Sequence, residues 1–286
     1  MKMIKPVVNI SKIIDAYDVI VCGLNGVIHD GCDFKPEAIS ALLNMRKSGK
    51  QVILLSNTSM RLRELCNLLY ANGISPRLFN NIITAGEVLH ARLQACDVQY
   101  AALGKVYYNL GVSDDEKIFD DLDYHSIENS SRADFLFAGR ITGNSPDDYM
   151  EVLAHCASLN IPMLCVGNDR VCRVKDENTI AAGLLAEQYT IFGGQIITIG
   201  KPDRVILEYA LEAYHDINKD KILLIGDSVP VDIKAANTFG IESLLVTFGI
   251  HSQFLGDGYI PDVTKTRELA ISTEAFPDYI ISNLRW

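Results

Sequence analysis

The chain has 286 residues, 48% of them apolar and 22% charged, and a formal net charge of −10. That is enough apolar material for one large domain or two smaller ones. The acidic balance argues against nucleic acid or an anionic membrane surface as a partner. The opening Met1-Lys2-Met3-Ile4-Lys5-Pro6 lacks the apolar run of a signal peptide, and no stretch reaches ~18 uninterrupted apolar residues, so no leader and no membrane span are expected. Seven cysteines, at 22, 32, 66, 96, 156, 165 and 172, are odd in number and lack C-x-x-C spacing. They point to a reduced, cytoplasmic setting with thiols as small core residues, and to no zinc site.

Strand-like and helix-like segments alternate along the chain. Residues 19–22 read as a buried strand, and 36–47 as a helix with Pro36 in its first turn and Gly49 just beyond its end. A strand follows at 51–55. Leu62, Leu65, Leu68 and Leu69 mark a helix stopped by Gly73, then comes a short strand at 82–83, and Thr84 with Glu87 resembles a capping box. The rhythm resumes late, with strands at 195–199, 221–225, 243–246 and 279–281 and helices at 203–214 and 231–239. Between lies a region with strand candidates at 100–103, 135–138 and 163–166 and helix candidates at 146–159 and 179–188, plus an acidic, turn-rich surface stretch at 114–129. Such alternation implies an α/β fold, a doubly wound parallel sheet covered on both faces. A core of residues 1–87 and 191–286 with an inserted α/β domain at 88–190 is the expected organisation.

Four segments at predicted strand ends carry the chemistry. The first is Val19-Ile20-Val21-Cys22-Gly23-Leu24-Asn25-Gly26-Val27, an apolar strand entering a tight turn. The second, Leu54-Leu55-Ser56-Asn57-Thr58, puts a hydroxyl and exposed backbone amides where open α/β sheets bind ligands, although an ordinary strand end would read the same. The third, Gly200-Lys201-Pro202, offers one positive charge. The fourth and strongest, running from Ile222 to Ile233, sets Asp227 at a strand end and Asp232 in the next helix's first turn. Hard oxygen ligands at Asp227 suit Mg²⁺, while the helix dipole alone would favour an acid at 232.

In their order, these segments resemble the four signatures of the haloacid dehalogenase (HAD) phosphohydrolases. The large insertion between Ser56 and Lys201 resembles the class IIA branch, NagD-like or p-nitrophenylphosphatase-like, with a C2-type cap. The resemblance covers nearly the whole chain. It implies a HAD Rossmannoid core with the site and a cap that sets substrate choice. Ser56, Asn57 and Lys201 would hold phosphate, Asp227 and the Asn25 backbone carbonyl would ligate Mg²⁺, and Asp232 would support them. Asn168 and Asp169 stand where relatives carry an Asn-Pro-Asp turn in the cap; they could read substrate, or form an ordinary turn. The expected partner is phosphate or a small phosphorylated molecule, with a homodimer through the cap a further expectation.

The departures lie in the first signature. Its nucleophile position holds Gly23 and its general-acid position Asn25. Covalent catalysis needs an activated nucleophile at attack distance, and glycine supplies none. Asparagine can hydrogen-bond a leaving oxygen but cannot protonate it. Cys22 should point to the opposite face of the strand. The expectation is a phosphate-binding protein without the aspartyl-phosphate mechanism and with a weakened Mg²⁺ site. The alternatives are an active Mg²⁺-dependent phosphatase using a displaced nucleophile (His29 or Asp30 would have to reach back) or a metal-activated water, and a non-catalytic partner-binding protein with a vestigial pocket.

Overall fold

The computed structural model describes residues 3–286 except Asn144, Lys175, Asp176 and Asp257. Its strands, in chain order, are β1 (Lys5–Pro6), β2 (Val19–Gly23), β3 (Gln51–Ser56), β4 (Asn81–Thr84), β5 (Val106–Asn109), β6 (His125–Ser126), β7 (Phe135–Ala138), β8 (Met163–Val166), β9 (Val171–Val174), β10 (Glu177–Ile180), β11 (Ile196–Ile199), β12 (Ile222–Gly226), β13 (Glu242–Val246) and β14 (Tyr279–Ile281). Seven form one sheet in the order β1-β14-β13-β12-β2-β3-β4, all parallel. Five form a second parallel sheet in the order β11-β8-β7-β5-β6, and β9 and β10 make an antiparallel hairpin. The fold is therefore the doubly wound α/β architecture expected, with a second α/β unit.

The central strands of the first sheet are apolar throughout because both faces are covered. Alternate residues divide between two cores. Val19, Val21, Ile53, Leu55, Ile222 and Leu224 enter one, and Ile20, Cys22, Val52, Leu54, Leu223 and Ile225 enter the other. Cys22 is thus fully buried on its own face of β2, and burial pushes its thiol up to about 12. The chain winds outward from β2 through β3 to β4 and, from β12, outward the other way through β13 to β14. The crevice beyond the C-terminal ends of β2 and β12 is the switch point where such sheets bind ligands.

Several local expectations differ from the structure. The strand expected at 195–199 among the late core strands is β11, at the edge of the second sheet beside β8. Residues 100–103 are not a strand: Asp97 caps a short helix, Val98–Ala101, by accepting the Gln99 N–H, and the strand starts after the Gly104 turn, as β5. The acidic stretch at 114–129 is not simply surface, because a 3-10 helix, Ser113–Phe119, buries Asp115, Ile118 and Phe119. The helix expected at 179–188 runs Ala182–Ile191, since Thr179 and Ile180 belong to β10. Thr84 caps the helix Ala85–Gln94 through the Glu87 N–H, but the Glu87 carboxylate pairs with Arg61 instead of closing a capping box.

Candidate active site

Gly23 is the last residue of β2, paired in register with Leu55 of β3. Its backbone is not left-handed, and a Cβ built on it would meet the Ile225 carbonyl at 3.4 Å, Val27 Cγ2 at 3.5 Å and the Gly226 Cα at 3.8 Å, ordinary contacts. Nothing in the packing therefore requires glycine there. Gly26, three residues on, is different. It has φ +74°, and a Cβ would fall 1.7 Å from Asp227 Oδ2. The turn after β2 passes directly over the Asp227 carboxylate, which only a glycine allows.

Asp227 leaves β12 and is buried beneath that turn, 8% exposed. Its Oδ2 accepts the Ile250 N–H at 2.8 Å. Burial, then the neighbouring Asp232, pushes its carboxyl up to about 7. Asp232 lies in a π-helical turn, Val229–Ile233. Its Oδ2 accepts the N–H groups of Asp227 and Ser228, each at 3.0 Å, and its Oδ1 receives the Lys201 ammonium at 2.6 Å. Both oxygens of Asp232 are committed to holding this loop in shape. Lys201 is buried too; burial works against its charge, but Asp232, then Asp169 and Asp227, hold its pKa above the ordinary value.

Ser56 ends β3, and its Oγ accepts the Thr58 N–H at 3.2 Å, leaving the hydroxyl proton to donate. Asn57, expected at the phosphate, is hydrogen-bonded across the site. Its Oδ1 accepts the Lys201 N–H at 2.7 Å, and its Nδ2 donates to Asp169 Oδ2 at 2.8 Å and to the Lys201 carbonyl at 3.0 Å. The side-chain amide joins three segments here, so it reaches a phosphate only by exchanging one of these partners. Asn168 donates to the Lys201 carbonyl at 3.2 Å. The turn after β8 is therefore seated on the core site, and both residues expected to face it from the cap touch core groups. Burial pushes the Asp169 carboxyl up, against the pull of Lys201.

Cys172 was not singled out by the sequence. It lies on the β9–β10 hairpin, and its Sγ accepts from Asn25 Nδ2 at 3.0 Å. Asn25 Oδ1 is buried with no hydrogen-bond partner. Burial pushes the Cys172 thiol up to about 11, which keeps it protonated and poorly nucleophilic. No motif marks this residue; it reaches the site only because the hairpin folds over the turn after β2. His29 is occupied locally, its Nδ1 accepting the Gly31 N–H at 3.0 Å, and the Asp30 carboxylate accepts from Cys32 and Asp33.

These residues do not fit a resident Mg²⁺. Position 23 supplies no side-chain oxygen, Asp232 is fully engaged, and one oxygen of Asp227 is engaged by Ile250. The orphaned Asn25 Oδ1 is a neutral donor. Among the described residues no group of three His, Cys, Asp or Glu could hold a metal ion. A divalent ion with hard oxygen preferences would keep most of its water here.

Comparison with known proteins bears on the family and the fold. A family profile described as haloacid dehalogenase-like hydrolase matches residues 94–240, a second with the same description matches 20–125, and a HAD-hydrolase-like profile matches 198–286. The chain is similar to the sugar-phosphatase AraL of Bacillus subtilis, 26% identical over 249 residues, covering 85% of this chain and 88% of that protein. Among solved structures, a haloacid dehalogenase-like hydrolase from Brucella suis superposes with a TM-score of 0.82 at 26% identity, over 96% of this chain and 98% of that one. A possible sugar phosphatase from Cytophaga hutchinsonii shares the fold, with a TM-score of 0.78 at 19% identity over 99% and 98%. Further neighbours in fold are NagD-like and p-nitrophenylphosphatase proteins.

Proposed function

The chain belongs to the haloacid dehalogenase-like hydrolases, and from that premise we propose that it binds a small phosphorylated molecule without hydrolysing it through an aspartyl-phosphate. The observation that carries this reading is Gly23, at the end of β2, where the nucleophile position carries no side chain. The other groups suited to phosphate are the Ser56 hydroxyl, the Asn57 backbone amide and the Lys201 charge. Asn25 can donate a hydrogen bond to a bridging oxygen but cannot protonate it. The β5–β8 and β11 sheet, with its hairpin, acts as the cap, and Asn168 and Asp169 act through it on ligand choice. Mg²⁺ binds weakly, or only together with a phosphate that contributes its own oxygens. AraL, named a sugar phosphatase, makes sugar phosphates the first compounds to try. The seven free cysteines accord with a reduced, cytoplasmic setting.

A thermal-shift screen of phosphorylated metabolites, with and without Mg²⁺, tests this reading. Stabilisation by at least one phosphate ester, growing with its concentration, is expected. No stabilisation at millimolar concentrations of any of them would overturn it.

A further inference from the structure

The Asn57 amide donates to the Asp169 carboxylate at 2.8 Å, and Asp169 lies in the field of Lys201. One group expected to serve an anionic ligand therefore already serves an anion from the turn after β8, and the other lies close to it. The seating is close at backbone level. Gly167, with φ +83°, packs so tightly on Asn57 that a Cβ there would lie 2.9 Å from the Asn57 carbonyl oxygen. Gly200 likewise packs on the Gly167 Cα and the Asn57 side chain. Charge tells the same story. Three carboxylates, Asp169, Asp227 and Asp232, act on one lysine, and Asp232 is already bonded to it at 2.6 Å. A phosphate dianion entering here would have to share one lysine with these acids.

We propose that Asp169 is an internal competitor for the phosphate site: its carboxylate takes the Asn57 donor and screens Lys201, so that an anionic ligand binds only by out-competing it. The inference rests on the phosphate-binding reading above. Asp169 is half-buried on the turn after β8, so releasing its carboxylate from Asn57 requires that turn to shift. The affinity of the site is thereby set by the position of the turn after β8. A ligand whose remaining groups hold that turn away from Asn57 gains affinity; bare phosphate does not. Discrimination between phosphorylated molecules then comes partly from displacing a resident anion.

The test is isothermal titration of the full chain with inorganic phosphate, comparing wild type with Asp169→Asn. The amide keeps the shape and the hydrogen-bond acceptor but removes the charge. Asp169→Ala, which removes both, replaces it should the first variant fail to fold. Asp123→Asn, a change at an exposed acid, controls for loss of charge anywhere on an acidic chain. The expected result is at least tenfold tighter phosphate binding by the Asp169 variant, with the Asp123 control within twofold of wild type. Phosphate binding by wild type that the Asp169 variant leaves equal or weakens would overturn the competition while leaving the pocket intact. No phosphate binding by either protein at tens of millimolar would overturn the pocket itself, and the competition with it.

Discussion

The Lys201 ammonium sits 2.6 Å from Asp232 Oδ1, and both side chains are buried. Asp232 in turn receives the backbone N–H groups of Asp227 and Ser228, so this pair connects the Gly-Lys-Pro segment to the turn after β12. Breaking a buried pair from one side leaves an uncompensated charge, at a cost of about 3–5 kcal/mol. Lys201→Met should lose stability on that scale in urea denaturation. The double variant Lys201→Met/Asp232→Asn should regain at least half of the loss, because the amide still accepts the two N–H groups without burying a charge. A double variant no more stable than the single one would show that the pair is not what holds this turn.

The two glycines of the first turn should respond in opposite ways. At Gly23 an added methyl meets only ordinary contacts, and Gly23→Ala should change stability by less than about 1 kcal/mol. At Gly26 the same methyl would collide with Asp227 Oδ2 on a left-handed backbone, and Gly26→Ala should cost several-fold more, about 3 kcal/mol or above. Thermal unfolding of both variants checks this. Severe destabilisation by Gly23→Ala would mean that the glycine at 23 is retained for structure and not merely as the absence of a carboxylate.

Acid sensitivity should arise in part from His251. Its Nε2 accepts the Val229 N–H at 3.1 Å, so the folded state holds the neutral ring, and burial pushes its pKa down to about 4. The unfolded chain takes up the proton near pH 6.5. Between those values the unfolded state binds more protons, so stability falls as pH falls from about 6.5 to about 4. His251→Gln keeps an acceptor and removes the titration. Relative to this variant, wild type should lose on the order of 2 kcal/mol between pH 7.5 and pH 4.5. A pH-independent difference between the two would refute the assignment.

Much of the core site was legible because it is built from short segments whose chemistry and geometry are local. An apolar strand followed by Gly-Asp-Ser puts Asp227 at a strand end wherever the strand lies, and a helix start five residues later puts Asp232 beside it. The covering of β2 on both faces was equally readable, since alternation alone decides that Cys22 turns away. What sequence could not give were contacts between distant segments. The committed amide of Asn57 depends on where the turn after β8 lands, and the approach of Cys172 to Asn25 depends on a hairpin folding over the site. The strand β11 misled because an apolar run leading to Gly200-Lys201 reads the same in either sheet, and only pairing with β8 assigns it. Burial of Asp115 was hidden by its acidic neighbours; it is paired by Arg140 and by the Ser59 hydroxyl, both remote in sequence.

If glycine at 23 is the missing piece, restoring a carboxylate should restore both metal binding and chemistry. The space at Gly23 accepts a Cβ in ordinary contact, and a carboxylate carried there would join Asp227 as a second anionic oxygen donor for Mg²⁺. Gly23→Asp, with Asn25→Asp to return the general acid, should bind Mg²⁺ at least tenfold more tightly than wild type by calorimetric titration. It should also gain Mg²⁺-dependent phosphatase activity on a panel of phosphate monoesters. A folded double variant that gains neither would mean that the loss extends beyond the first turn.

The most direct measurement is hydrolysis of a phosphate monoester by the purified wild-type chain with Mg²⁺, set against Asp227→Ala prepared in the same way. Equal background rates in the two are predicted, because with Gly23 in place neither has a nucleophile for phosphorus. Turnover by wild type that Asp227→Ala abolishes would contradict the account, and would mean that another group or a metal-bound water attacks in place of the missing carboxylate.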